Sequence, residues 1–211
     1  MYRDALLAVL ASTGLTGAAM AAGPPAEVWE IGPFIRGKNY SVGMPVAPQQ
    51  AFDGARFVIP GPSAKNGHVH YVTMATGPLA GAKRITLKYR IDAGPSTRFV
   101  PQEHPDRKAT LSLYFQRSGD RWSARYSDWR WYSPANRVVE LKPGTHSITI
   151  GLDEDWVAMM GPGAKANPKG FRRALNETAR IGFVFGSEGG RGHGVYATRP
   201  SRFTILDFRV D

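Results

Sequence analysis

Between Thr110 and Tyr132 apolar and polar residues alternate almost without a break. Thr-Leu-Ser-Leu-Tyr-Phe-Gln-Arg precedes Ser118-Gly119-Asp120, and Arg-Trp-Ser-Ala-Arg-Tyr-Ser-Asp-Trp-Arg-Trp-Tyr follows it. A period of two sends successive side chains to opposite faces, so the stretch reads as a half-buried β-hairpin rather than a helix. A two-residue type II′ turn at Gly119-Asp120 sets Arg117 opposite Trp122, Phe115 opposite Ala124 and Leu113 opposite Tyr126. A three-residue loop would set Phe115 against Ser123 and Leu113 against Arg125 on a buried face, which is costly, so the shorter turn is expected. One face is then Leu111, Leu113, Phe115, Trp122, Ala124 and Tyr126, a core face. The other carries Thr110, Ser112, Tyr114, Gln116, Ser123 and Arg125, polar with an aromatic, as a binding face would be.

Beyond Tyr126, uninterrupted pleating puts Trp129 and Trp131 on the polar face beside Tyr114 and Arg125, with Asp128, Arg130 and Tyr132 turned to the core. A bulge at Ser127-Asp128 swaps the two sets. Two indoles on a polar sheet face make a flat, hydrogen-bonding platform suited to sugar rings; between sheets they are packing. Charged Asp128 and Arg130 in a core are expensive, which weighs towards the bulge.

The same period recurs along the chain, with strands expected over residues 55–59, 68–75, 84–91, 137–141, 146–152, 180–185 and 202–210, and a short one over 28–31. In 68–75, Val69, Tyr71 and Thr73 face one way and His68, His70, Val72 and Met74 the other. In 202–210, Leu206, Phe208 and Val210 point inward. Lys142-Pro143-Gly144-Thr145 is a turn, 94–108 and 159–168 are loops, and 186–194 is a mobile glycine loop. Asn167-Pro168 starts a short helix through residue 179 with Phe171, Ala174 and Leu175 on one face. Without βαβ alternation the sheets are antiparallel. The expected fold is all-β, a two-sheet sandwich of the jelly-roll type with one short helix.

Residues 1–22 carry one Arg near the start, an apolar run over 5–11 and small residues at 19–22 ahead of Gly23-Pro24-Pro25. This is the pattern of a signal peptide, leaving 23–211 as one domain that is secreted or periplasmic. No later stretch is long and apolar enough to span a membrane. The chain has no cysteine, which excludes disulfides, thiolate metal sites and a cysteine nucleophile. Its net charge of +10 draws polyanions, but the bases are scattered rather than clustered. Acidic polysaccharide or an anionic envelope surface therefore fits better than nucleic acid.

The closing Arg202-Phe203-Thr204-Ile205-Leu206-Asp207-Phe208-Arg209-Val210 and the order of strands resemble secreted β-sandwich carbohydrate-binding modules of the galactose-binding-like kind. The resemblance implies a non-enzymatic domain that binds glycans through aromatics on a sheet face or in loops, frequently with a structural Ca²⁺. The chain departs from that pattern in carrying no attached catalytic domain.

Few motifs point to other chemistry. His68-Val69-His70 places two imidazoles on one strand face, but the acid a metal-binding cupin would need next is replaced by Met74 and Ala75. Asp153-Glu154-Asp155 supplies too few oxygens for Ca²⁺ and reads as a solvated turn. The 186–194 segment lacks the helix of a phosphate loop, though it can carry Arg191 and His193 to a ligand. Glycoside hydrolysis would draw on Glu103, Asp128, Glu140 and Glu188, and uronate β-elimination on His70, Tyr114, Gln116, Arg125 and His193. The expectation is an exported protein that binds an acidic glycan without catalysis, needs no cofactor, and uses Trp129, Trp131, Tyr114, Gln116, Arg125, His70, Arg191 and His193. A small polysaccharide lyase or hydrolase, and a structural envelope protein, are the alternatives.

Overall fold

A computed structural model describes residues 23–63 and 69–211. In chain order the strands are β1 (Trp29–Gly32), β2 (Phe34–Ile35), β3 (Lys38–Asn39), β4 (Gln49–Ala51), β5 (Gly54–Val58), β6 (His70–Ala75), β7 (Arg84–Ala93), β8 (Phe99–Pro101), β9 (Thr110–Arg117), β10 (Arg130–Tyr132), β11 (Val139–Glu140), β12 (Gly144–Gly151), β13 (Val157–Ala158), β14 (Thr178–Gly186), β15 (Val195–Ala197) and β16 (Ser201–Val210); the helix α1 is Pro168–Asn176. A front sheet runs β1-β6-β14-β9-β10-β13, with β11 also paired to β9, and a back sheet runs β12-β7-β16-β5-β4. Every ladder in them is antiparallel. The fold is the expected all-β sandwich.

Alternation decides what lies between the sheets. Leu111, Leu113 and Phe115 of β9 and Ile181, Phe183 and Phe185 of β14 meet Ile85, Leu87, Tyr89 and Ile91 of β7 and Phe203, Ile205 and Phe208 of β16. Phe203 is the hub, with Phe57, Tyr89 and Phe183 stacked on it at 5.2, 4.8 and 5.2 Å. In β16 the register slips between Ile205 and Asp207. This bulge corrects the expected parity there: Ile205 and Phe208 are buried, whereas Val210 is exposed. Asn167 caps α1 by accepting the Gly170 N–H at 3.1 Å, and Phe171 packs on Phe115 and Trp131.

The main departure from the sequence expectation lies at residues 118–129. Strand β9 forms as expected, but its partner β10 begins only at Arg130, with Arg130 opposite Gln116, Trp131 opposite Phe115 and Tyr132 opposite Tyr114. The intervening residues make an excursion that ends in a 3₁₀ turn over Ser127–Trp129. Asp120 is the cause. Its carboxylate accepts the Trp122 N–H at 2.9 Å and meets the Arg130 guanidinium at 2.9 Å, so a local Asx turn and a buried ion pair replace the tight hairpin. Trp122 is left with a φ of 60°, which a bulky side chain rarely adopts.

Candidate functional site: a cleft on the outer face of the front sheet

The pleat that sends Leu113 and Phe115 inward sends Ser112, Tyr114 and Gln116 outward, and likewise Tyr71 and Thr73 of β6, Val184 of β14, and Arg130 and Tyr132 of β10. Tyr71, Tyr114, Tyr132 and Val184 thus form a second apolar cluster outside the sandwich, joined by Trp122, Val69 and Met159. Tyr71 stands edge-on to Tyr114 at 5.0 Å, and its hydroxyl lies 2.7 Å from that of Tyr132. Trp122 stands edge-on to Tyr71 at 4.9 Å, and the Arg130 guanidinium covers its ring at 4.9 Å.

Two hollows flank Trp122. One, of about 450 Å³, is lined by Tyr40, Tyr71, Tyr132, Met159, Met160, Glu188, Arg191 and His193 among others. The second, of about 300 Å³, is lined by Glu30, Thr73, Gln116, Arg117, Asp120 and Arg180 among others. Trp122, Tyr71 and Pro33 border both, so the hollows adjoin at these three residues as compartments of one cleft.

The glycine segment 186–194 roofs the first compartment. Gly192, at φ 80°, sits where a methyl group would overlap the Tyr71 ring and hydroxyl, so both space and backbone demand glycine. The segment, expected to be mobile, is instead pinned. The His70 N–H donates to Gly192 O at 3.0 Å and the Gly194 N–H to Phe185 O at 3.0 Å, while His70 Nδ1 accepts the Val195 N–H at 3.1 Å.

Burial raises the phenol pKa values of Tyr71 and Tyr114 well above the ordinary value and raises that of Tyr132. Their hydroxyls stay neutral and serve as hydrogen-bond donors and acceptors rather than as bases. Tyr114 Oη donates to Gln116 Oε1 at 3.1 Å, and Gln116 Nε2 donates to Asp120 at 3.1 Å. Burial also raises the Asp120 carboxyl, against the pull of Arg130 and the Trp122 N–H.

Of the residues expected to bind ligand, Arg191 and His193 line the first compartment and Gln116 the second. Tyr114 has the expected outward orientation but is 0 % exposed, supporting the floor beneath Tyr71 and Tyr132. Three placements correct the expectation. Trp131, also 0 % exposed, lies between the sheets with its indole N–H bonded to Asp128 O at 2.7 Å, because the excursion swaps the parity of β10. His70 is 0 % exposed on the core face opposite Phe185, where it anchors the glycine segment; His68 lies outside the described residues. Arg125 is exposed and borders neither compartment. Trp129 is half-buried, and its ring already stacks on Tyr126 at 4.3 Å beneath the Arg117 guanidinium at 4.4 Å. Trp129→Ala should therefore lower stability by about 1 kcal/mol, read as a small drop in melting temperature, and leave ligand retention in the cleft intact.

The aromatic residue that the sequence reading missed is Trp122, which strict alternation had assigned to the core. Asp120, two residues before it, was the available signal, since Asp readily bonds a backbone N–H two positions on. Of the four candidate acids only Glu188 borders the cleft. Glu140 instead bridges Lys108 and Lys142, and Glu103 meets His193 Nδ1 at 2.5 Å. The acidic triplet is used locally: Glu154 pairs with Arg137, and Asp155 accepts the Lys165 N–H. Among the described residues no three His, Asp or Glu side chains are placed to hold a metal ion.

Neither a protein-family model nor a curated protein sequence matches this chain. Solved structures do. The chain is similar to a xylan-binding module. That module, CBM15, superposes with a TM-score of 0.41 at 13 % identity over 88 % of this chain and 95 % of its own. A mutant of Xylanase10C from Cellvibrio japonicus in complex with xylopentaose gives a TM-score of 0.42 at 13 % identity over 87 % of this chain. The aligned part spans 28 % of that xylanase chain.

Proposed function

We propose that the chain is an exported, non-catalytic glycan-binding sandwich that takes a sugar chain into the cleft over Trp122, and that its basic balance selects an acidic glycan. The observation that carries this reading is Trp122, held at a positive φ against a floor of tyrosines and bordering both hollows. Sugar rings present apolar C–H faces to such a ring and hydroxyls to neutral phenols, amides and guanidinium groups. Backbone strain at a residue that borders both hollows supports that reading. Export rests on residues 1–22, which lie outside the described residues. Among the described residues no helix is long and apolar enough to cross a membrane, and the scattered bases do not suit nucleic acid.

One observation favours a second reading. The contact of Glu103 with His193 Nδ1 orients the imidazole as a base would be oriented for uronate β-elimination, although the cleft phenols stay protonated.

Affinity gel electrophoresis against alginate, polygalacturonate, glucuronoxylan and neutral arabinoxylan, with assays for unsaturated product and new reducing ends, separates the readings. Retardation by an acidic polymer without product is the expected result. Unsaturated product would make the chain a lyase, and the absence of both retardation and product would leave a structural protein.

A further inference from the structure

Most cations around the cleft are neutralised where they stand. Arg130 meets Asp120 at 2.9 Å, Arg180 meets Glu30 at 2.8 Å, Arg117 meets Glu177 at 2.5 Å, and His193 meets Glu103. Arg191 differs. Among the described residues no carboxylate lies within ion-pair distance of its guanidinium, and residues 64–68 contain neither Asp nor Glu.

The side chain is nevertheless fixed and partly buried. One guanidinium nitrogen donates to Ser133 O, and the group borders the first compartment with Tyr132 and Trp122. Burial pushes its pKa down, the direction expected of a cation short of compensating charge. Glu188, exposed on the same glycine segment, attracts it without pairing. A desolvated guanidinium lacking a counter-ion costs free energy in the empty protein, and an arriving oxyanion recovers that cost, best through two parallel N–H···O bonds.

We propose that Arg191 is the carboxylate-recognising residue of the cleft, so that a uronate of an acidic glycan seats between Trp122, Tyr132 and Arg191. The compartment on the far side of Trp122, where Arg180 and Arg117 already have carboxylate partners, takes a neutral sugar. The assignment rests on the glycan-binding reading. It adds which end of the cleft reads charge, and through which side chain.

Calorimetry on the whole chain tests it with three probes: an oligogalacturonate, the same oligosaccharide after carboxyl reduction, and a sulfated neutral oligosaccharide. The wild-type protein should prefer the oligogalacturonate over its reduced form by about 10- to 100-fold, with the preference shrinking as salt is raised. Arg191→Met should collapse that ratio towards one. Should Arg191→Met fail to fold, Glu188→Gln gives the reading from an exposed position, since removing the competing acid should widen the ratio by about 2- to 5-fold.

A preference that survives Arg191→Met, or that narrows in Glu188→Gln, overturns the assignment. Equal binding of the oligogalacturonate and its reduced form by the wild-type protein also overturns it while leaving glycan binding intact. Binding of neither removes both readings. Tighter binding of the sulfated probe than of the oligogalacturonate would replace uronate by sulfate ester and overturn the uronate assignment.

Discussion

Replacing Trp122 by glycine should weaken glycan binding by about 2–4 kcal/mol, roughly 30- to 1000-fold, while melting temperature changes little. The two effects separate because of the backbone at this residue. Its φ of 60° costs a tryptophan on the order of 1–3 kcal/mol and glycine almost nothing. That relief offsets the edge-on contact with Tyr71 and the cover given by Arg130. Retardation in an affinity gel alongside a thermal melt checks both halves. Retention of binding in Trp122→Gly would move the ligand off the cleft, and a large fall in melting temperature would make the ring a structural plug.

The second large effect concerns the ion pair whose guanidinium covers that ring. The Asp120 side chain is 0 % exposed and that of Arg130 6 %, so Asp120→Ala strands a buried guanidinium and should destabilise the fold by about 3–5 kcal/mol. The double variant Asp120→Leu with Arg130→Met, which removes both charges, should recover most of that loss. Urea midpoints decide the matter: a double variant no more stable than Asp120→Ala would show that the pair is worth more than its desolvation cost.

The same carboxyl gives a pH signature. Its pKa is raised on folding, above the ordinary 3.8, by burial, so only at pH between the ordinary and the raised value does the folded state hold a proton that the unfolded state has released. Its contribution to stability is therefore complete below the ordinary value and is lost as pH rises through the folded one. Glu140 and Glu177 act with the opposite sign, their carboxyls held down by hydrogen bonds from Lys108 and Arg117 first of all. The measurable quantity is thus the difference between wild type and the double variant as pH is raised from below the ordinary value of 3.8. The wild type should lose ground against the double variant as pH rises.

Strands whose alternation is backed by apolar residues were legible without coordinates. The inward sets of β7, β9 and β14, the period of β6 and the Asn167-Pro168 start of α1 were each readable from a local rule, whereas which side of β6 faced out was not, since His70 was expected at the ligand and is buried. Residues 122–126 alternate just as well and form no strand. There the local rule lost to Asp120, whose bond to the Trp122 N–H is local but whose pairing with Arg130 spans ten positions of sequence. The parity of Trp131 followed from that one contact, as did the release of Trp122 from the core. The bulge in β16 carried no mark in the sequence, and β8 was hidden because its partner β15 lies some ninety residues away. The roof of the cleft was out of reach for a related reason: Gly192 could be recognised as turn material, but nothing in its surroundings named Tyr71 as the ring it must clear.

Trp29 near the beginning of the described chain packs edge-on against Phe208 near its end, at 5.2 Å, and β16 lies in the middle of the back sheet between β7 and β5. The back sheet can therefore not close until β16 has been made, the front sheet has no complete layer to pack against before then, and most contacts demand closure of a long loop first. Such a chain should refold slowly, on a scale of roughly milliseconds to seconds, and a ribosome-bound fragment ending before Ser201 should remain open to protease in the strands of the back sheet, which β16 joins.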